Sequence, residues 1–287
     1  MSRVDVRKTH KLFIGGAFPR SESGRTYEVT DAKGGFIANV AQASRKDARD
    51  AVLGARAAFA KWSTATAYNR GQVLYRIAEV MEGRRDQFSS EVQQAEGLSA
   101  RKAAQQVDAA IDRWVWYAGW ADKYAQAIGN TNPVAGPFFN FSIPEPTGVV
   151  AAVAPQDHSI LGLTSVIAPI VMTGNSIIVM PSPSAPIPAI TLAECLATSD
   201  VPGGVVNILT GAPAEVMPWL AEHSDVNALD LTGIVDDVVA ADLERQAAGS
   251  VKRVRQPKPH ANWDATPSLS RIRTFTETKT VWHPLGV

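Results

Sequence analysis

Residues 146–211 alternate short apolar runs with helix-length segments, and this alternation constrains the fold more than any other feature of the chain. The runs 147–154 (TGVVAAVA), 175–180 (NSIIVM) and 205–209 (VVNIL) are too short for helices and rich in β-branched residues, and the first two are stopped by Pro155 and Pro181. The intervening segments 159–172 and 186–199 are long enough for buried helices. Continuously apolar strands separated by helices predict βαβ units, a parallel sheet covered on both faces, and right-handed crossovers. Ligands of such sheets lie at the carboxyl ends of the strands. Here those ends are Pro155-Gln156-Asp157-His158, Pro181-Ser182-Pro183-Ser184 and Thr210-Gly211.

The flanking sequence extends this unit. Strands are expected at 11–14, 27–30 and 36–41, then a helix started by Ser44 and Asp47, with Ala48, Ala51, Val52, Ala55, Ala58 and Phe59 on one face. A second helix runs from about Arg70, with Gly83 as a weak point. A third and longest starts at Ser99 and runs to Ile128, with Gly129 as its terminating residue. After Gly211 come a helix at 215–222, a strand at 227–231, a helix at 235–248 and a strand at 251–254. Residues 1–8 are polar and expected to be frayed. Residues 255–267 lose the apolar pattern, and Arg255, Pro257, Lys258 and Pro259 suggest a linker. Segments 138–143 (FFNFSI) and 274–282 (TFTETKTVW) both alternate with period two, as exposed strands do.

Composition excludes several functions. Lys and Arg number 28 and Asp and Glu 28, so no net field favours nucleic acid or an anionic membrane. Nothing resembles a leader or a membrane span. The single cysteine, Cys195, excludes an internal disulfide and fits a reducing compartment, and a soluble, cytoplasmic protein is expected. His260 and His283 are isolated, and no metal-ligand spacing occurs. Seven tryptophans could form a ligand platform, but Trp114 and Tyr117 fall at core spacing. Lys252, Arg253, Arg255 and Lys258 read as a solvated basic stretch.

KLFIGG at 11–16, WYAGW at 116–120, EPTGVVAAVAP at 145–155, GNSIIVMPSPSAP at 174–186, VPGGVVNILTG at 201–211 and FTETKTVWHPLG at 275–286 stand in an order that resembles the aldehyde dehydrogenase superfamily. The resemblance implies an α/β fold: the Rossmann-like parallel sheet of that family's cofactor domain over residues 1–254, including an arm strand near 138–146. A linker at 255–270 and a C-terminal oligomerisation strand at 271–287 follow. It also implies what is missing. The similarity runs to about Val254 and then crosses to the C-terminal arm. It thus omits the domain that brings the nucleophilic cysteine and the Glu-Leu-Gly-Gly segment that brings the general base. Thiolate attack, hydride transfer and hydrolysis of the thioester need both.

Further departures follow from the same resemblance. Asp157 stands where an amide should donate to the developing oxyanion, and a carboxylate there opposes that charge. Met180 replaces the lysine that grips the adenosine ribose, followed by Pro181 and Ser182, and Pro183 replaces an acidic residue. The diphosphate turn reads Leu231-Thr232-Gly233-Ile234, with Val238 at its second glycine and Asp236 and Asp237 in the first helical turn. Those carboxylates satisfy the helix dipole and repel phosphate. Pro155, Met180, Pro181, Ser182, Gly211, Thr232, Gly233 and Ile234 are therefore remnant cofactor positions. No cofactor is expected, with NAD or NADP as the alternative.

Cys195 reads as a buried structural thiol with no cation or helix N-terminus nearby. The expected function is a non-catalytic subunit that assembles with a full-length aldehyde dehydrogenase or with itself. The arm at 138–144 and the C-terminal strand have no obvious partner inside the chain, and the latter is expected to be separable at Arg271 without loss of the sheet. The alternatives are an enzyme with residual or altered chemistry around Asp157 and His158, and a degenerate nucleotide-binding module.

Overall fold

The computed structural model describes residues 8–257 and 261–286. Residues 1–7, Lys258, Pro259, His260 and Val287 lie outside the described residues, so the expected frayed start and part of the expected linker are not addressed. The chain opens with β1 (Thr9–His10), β2 (Thr26–Thr30) and β3 (Phe36–Ala41), then α1 (Arg45–Trp62), α2 (Ala67–Glu82), α3 (Arg85–Glu96), α4 (Ala100–Trp120) and α5 (Tyr124–Ile128). The arm strands β4 (Asn130–Asn132) and β5 (Phe138–Pro146) follow. The alternating unit is β6 (Val149–Val153), α6 (Leu161–Met172), β7 (Ser176–Met180), α7 (Ile187–Ala197), β8 (Val206–Ile208), α8 (Pro213–Glu222), β9 (Ala228–Asp230), α9 (Asp237–Ala247) and β10 (Arg253–Arg255). The chain closes with α10 (Leu269–Thr274) and β11 (Thr276–Pro284).

The central sheet has five parallel strands in the order β10-β9-β6-β7-β8. Alternation along β6 sorts its side chains. Val150 and Ala152 face a core built with α2, α4, α6 and α7; Val149, Ala151 and Val153 face α1, α8 and α9. Both faces are covered, which explains why these strands read as unbroken apolar runs. Phe13 closes the outer edge of β8: its N–H donates to the Ile208 carbonyl at 3.0 Å and its carbonyl accepts from Ile208 at 2.8 Å. No helix among the described residues is long and apolar enough to cross a membrane.

Local chemistry sets the helix ends. The Ser44 backbone N–H donates to the Asp47 carboxylate at 2.7 Å, which starts α1. Ser99 accepts from the Lys102 N–H at 3.3 Å and starts α4. Three expectations change here. Residues 85–96, to which no element was assigned, form α3: only Phe88 and Val92 are buried along it, so its apolar stripe is too thin to stand out. The longest helix ends at Trp120, and a turn separates it from the short α5. Gly129 is extended (φ −72°), so no left-handed terminator is used there.

The largest difference concerns the two exposed-looking strands. They pair with each other: β5 and β11 run antiparallel from Thr276↔Pro146 to Pro284↔Phe138, with β4 on the other side of β5. Period-two alternation identifies a half-exposed strand but not its partner. The segment leading to β11 also differs from a solvated linker. Trp263 and Ile272 are buried in the core, and Arg113 of α4 donates to the carbonyls of Trp263 at 2.7 Å and Ala265 at 3.2 Å. Of the basic stretch, Arg253 forms a bidentate pair with Glu277 at 2.7 and 2.9 Å and Arg255 donates to Thr274 at 2.8 Å. Both therefore serve the C-terminal segment.

Candidate functional site

From β6 the chain passes to β7 and β8 on one side, then returns to build β9 and β10 on the other. The direction reverses between β6 and β9, so their carboxyl ends frame the crevice where such sheets hold ligands. Here that crevice is drawn tight. Gly233 donates its N–H to the Val153 carbonyl at 2.9 Å, and a Cβ on Gly233 would lie 1.9 Å from the Ala154 carbonyl oxygen. At the end of β9, the fully buried Asp230 accepts from the Thr232 N–H at 3.0 Å and from the Thr232 hydroxyl. Its second oxygen meets Arg271 at 3.1 Å. Arg271 also donates to the Thr232 hydroxyl at 3.1 Å and stacks 5.0 Å from the Trp263 ring. A C-terminal arginine thus seals this corner, which the sequence reading did not foresee.

The loop after β6 is equally constrained. Gln156 donates to the Ala154 carbonyl at 2.7 Å and accepts at its own carbonyl from Ser182 at 2.9 Å. Glu96, at the end of α3, accepts from the Ser159 N–H at 2.8 Å with one oxygen and from Gln106 at 2.9 Å with the other. Pro155 packs on Gly162, where a Cβ would come within 2.9 Å. Asp157 projects outward with its side chain 78% exposed, 3.2 Å from His158 Nδ1 but not aligned as a hydrogen bond. The two groups meet, yet the carboxylate is solvated rather than aimed into a pocket.

The other positions singled out in the sequence serve packing and turns. Met180 is fully buried in the core on the α1, α8 and α9 side. Pro181 and Ser182 are buried behind it, with Ser182 bonded to Gln156 and 3.0 Å from the Ser184 hydroxyl. Gly211 has φ +123° and passes beside Ala43, whose N–H donates to the Thr210 carbonyl at 2.8 Å. Ile234 leads to Asp236, the N-cap of α9, which accepts from the N–H groups of Val238 at 2.8 Å and Val239 at 3.4 Å. Asp237 follows in the first turn. Between α8 and α9 runs a cleft of about 280 Å³, walled mainly by Pro213, Met217, Pro218, Val238, Val239 and Leu243.

Cys195 lies on α7 with no exposed surface, and burial pushes its thiol up to about 11. A cation does stand nearby, contrary to the sequence reading. Arg84 Nη1 is 3.9 Å from the sulfur, while its Nη2 holds Glu194 at 2.5 Å. Its partial offset leaves the thiol protonated at neutral pH. No group of three or more His, Cys, Asp or Glu among the described residues could hold a metal ion. His283 sits on the exposed β11, and His260 lies outside the described residues.

The sequence profile of the aldehyde dehydrogenase family matches residues 18–256. The chain belongs to the aldehyde dehydrogenase family. A putative aldehyde dehydrogenase of Bacillus subtilis, DhaS, is 31% identical over 257 residues, covering 87% of this chain and 50% of that protein. Cytosolic 10-formyltetrahydrofolate dehydrogenase of Pongo abelii is 31% identical over 262 residues, covering 88% of this chain and 29% of that protein. The NAD+ complex of the aldehyde dehydrogenase from Bacillus cereus superposes with a TM-score of 0.81 at 27% identity, over 86% of this chain and 50% of that one. The chain therefore spans half or less of the length of these relatives, and its α/β architecture is the Rossmann-like cofactor-binding domain of the family.

A dinucleotide would have to place its diphosphate at the first turn of α9. The first free N–H groups of α9, which a diphosphate would need, already bond to Asp236, and Asp237 adds a second negative charge. Val238 is 77% exposed at the first turn of α9 and the buried Met180 offers no donor. The residues present do not fit a diphosphate.

One titration in the neighbouring N-terminal region affects stability. His10 is buried beside Lys8, and both hold its pKa down to about 4, with Glu194 opposing weakly. An unfolded histidine titrates near 6.5, so the native state binds fewer protons than the unfolded state between these values. The stabilisation is present above pH 6.5 and is lost as pH falls towards 4, by up to about 3 kcal/mol at ~1.4 kcal/mol per pKa unit. Thermal unfolding of the wild type and His10→Leu across pH 4–7 checks this: the variant should lose less stability on acidification, and parallel curves would refute the assignment.

Proposed function

We propose that this chain is a non-catalytic member of the aldehyde dehydrogenase family that assembles, through its arm sheet, with a full-length aldehyde dehydrogenase or with itself. The observation that carries this reading is the state of the only thiol. A nucleophile must reach its substrate as a thiolate, and Cys195 is buried, protonated and on a helix in the opposite core from the α9 cleft. Asp157 supports the reading, because a solvated carboxylate opposes an oxyanion. The Asp157–His158 contact offers no hydrogen bond to organise an alternative acid–base pair.

The case for assembly rests on the edges of the arm rather than on an unpaired C-terminal strand. Among the described residues, the order β11-β5-β4 leaves the outer edges of β4 and β11 without a strand partner. Phe138, Phe139, Ile143 and Trp282 are exposed on this small sheet, and such an edge favours strand addition from a partner.

The experiment has two readouts. The pure chain mixed with NAD or NADP and a panel of aldehydes should give no NAD(P)H absorbance; a signal that disappears in Cys195→Ala would overturn the non-catalytic reading. Co-expression with an aldehyde dehydrogenase from the same source should give a mixed oligomer by light scattering, or a self-oligomer for the chain alone. A well-behaved monomer under both conditions would overturn assembly.

A further inference from the structure

We infer that the forked edge of the Arg255 guanidinium, at the carboxyl end of β10, is a binding site for a small oxyanion, a carboxylate or a phosphate. A guanidinium offers its Nε and Nη2 hydrogens side by side, a spacing that matches two oxygens of such a group. The protein uses this edge elsewhere. Arg253 holds Glu277 through Nε at 2.7 Å and Nη2 at 2.9 Å, and Arg85 holds Asp108 through the same two atoms. In Arg255 it is Nη1 that is engaged, donating to the Thr274 hydroxyl at 2.8 Å, while Nε is buried with no acceptor among the described residues. A buried donor without an acceptor is costly. The residue as a whole is partly exposed, so an anion can approach this edge from solvent.

The surroundings carry more positive charge than their own carboxylates offset. Arg271, Arg113 and Arg255 all act on the buried Tyr117 phenol, opposing the upward push of burial on its pKa. The buried carboxylate at this corner, Asp230, is bonded by Arg271 and acts on Arg255 only from a distance. Arg113 donates to neutral acceptors, the Ser165 hydroxyl at 3.0 Å and the Trp263 and Ala265 carbonyls, and Asp264 acts on it from an exposed position. Three guanidiniums beside one engaged carboxylate leave an excess of charge in a poorly solvated corner, which a bound anion would offset. Trp263 and α10 lie beyond residues 18–256, so the corner is built in part from sequence outside the family match. This inference does not depend on the non-catalytic assembly proposed above, which is tested by turnover and light scattering.

Sodium acetate and inorganic phosphate serve as probes, titrated into the wild-type chain by calorimetry with sodium chloride holding the ionic strength constant. Arg255→Gln removes the charge and keeps an amide beside Thr274. It should weaken anion binding about ten- to hundredfold, the worth of a hydrogen bond to a charged group. Arg255→Lys keeps the charge without the fork; it should bind with intermediate affinity, and it replaces Arg255→Gln if circular dichroism shows that variant unfolded. Arg273→Gln removes an exposed arginine of α10 and should bind as the wild type does. Tighter binding of acetate assigns the site to a carboxylate and tighter binding of phosphate to a phosphate ester; either supports the inference when the Arg255 variants lose it. The inference is overturned by any of three results: no binding of either anion at tens of millimolar, Arg255 variants that bind as tightly as the wild type, or a loss in Arg273→Gln as large as theirs.

Discussion

Replacing Arg271 by Met should destabilise the protein by about 3–5 kcal/mol, the cost of removing one partner from a buried ion pair. Asp230 has no exposed surface, and the Arg271 side chain is 12% exposed. Three donors satisfy the carboxylate: the Thr232 N–H, the Thr232 hydroxyl and the guanidinium. Without Arg271, one oxygen keeps its charge in a buried site with no hydrogen-bonded cation, leaving only the more distant Arg255 to offset it. Arg271→Lys should recover only part of the loss, because a point charge cannot serve Asp230 and Thr232 at once or stack on Trp263. Asp230→Asn combined with Arg271→Met should be more stable than Arg271→Met alone, since the stranded charge is gone. Urea unfolding of the variants checks the series. Equal stability of wild type and Arg271→Met would show that the C-terminal segment does not carry this corner. By the same contact, removing residues 271–287 should unfold the sheet end rather than release an independent strand.

Parts of this architecture were legible because one physical signal decided them. The strands around β6 are buried on both faces, so each reads as an apolar run bounded by proline or glycine, and the boundaries expected there fall within two residues of those observed. The starts of α1 and α4 were legible through Ser44, Asp47 and Ser99, because capping is local chemistry. What was hidden is non-local. The Arg84–Cys195 contact joins residues 111 apart, and Glu96 reaches Ser159 across 63. No spacing rule brings such pairs together. The pairing of β5 with β11 was hidden for a related reason: two alternating strands each advertise an open edge, and sequence does not say that they satisfy one another. At the candidate site, residue type was informative about charge. Asp236 and Asp237 on α9 announce a first turn hostile to anions, whereas the neighbouring cleft depends on how α8 and α9 are spaced.

Gly233→Ala should cost about 3 kcal/mol or more, the upper range for overpacking, and the reason bears on why this residue persists. Thr232-Gly233 resembles a remnant of the family's diphosphate turn, yet the groups around it refuse a diphosphate. A residue kept only for a lost ligand would tolerate a methyl group. The geometry gives Gly233 a different task. Its Cα faces the Ala154 carbonyl so closely that a Cβ would stand 1.9 Å from the oxygen and 2.8 Å from the Val153 oxygen. Backbone, not a flexible side chain, must then move. The Gly233 N–H to Val153 bond, 2.9 Å, ties β9 to β6 at the reversal of the sheet, and the shift would break it at a further cost of about 1 kcal/mol. Gly249, which has nothing within 4 Å of its Cβ position, is the control: Gly249→Ala should leave stability nearly unchanged. Chemical denaturation of both variants separates the two explanations. A Gly233→Ala protein as stable as the control would mean that the turn is held only as a vestige of ligand binding. A large loss confined to Gly233 would mean that the crossing of β6 and β9 itself requires glycine, so that its retention carries no information about a cofactor.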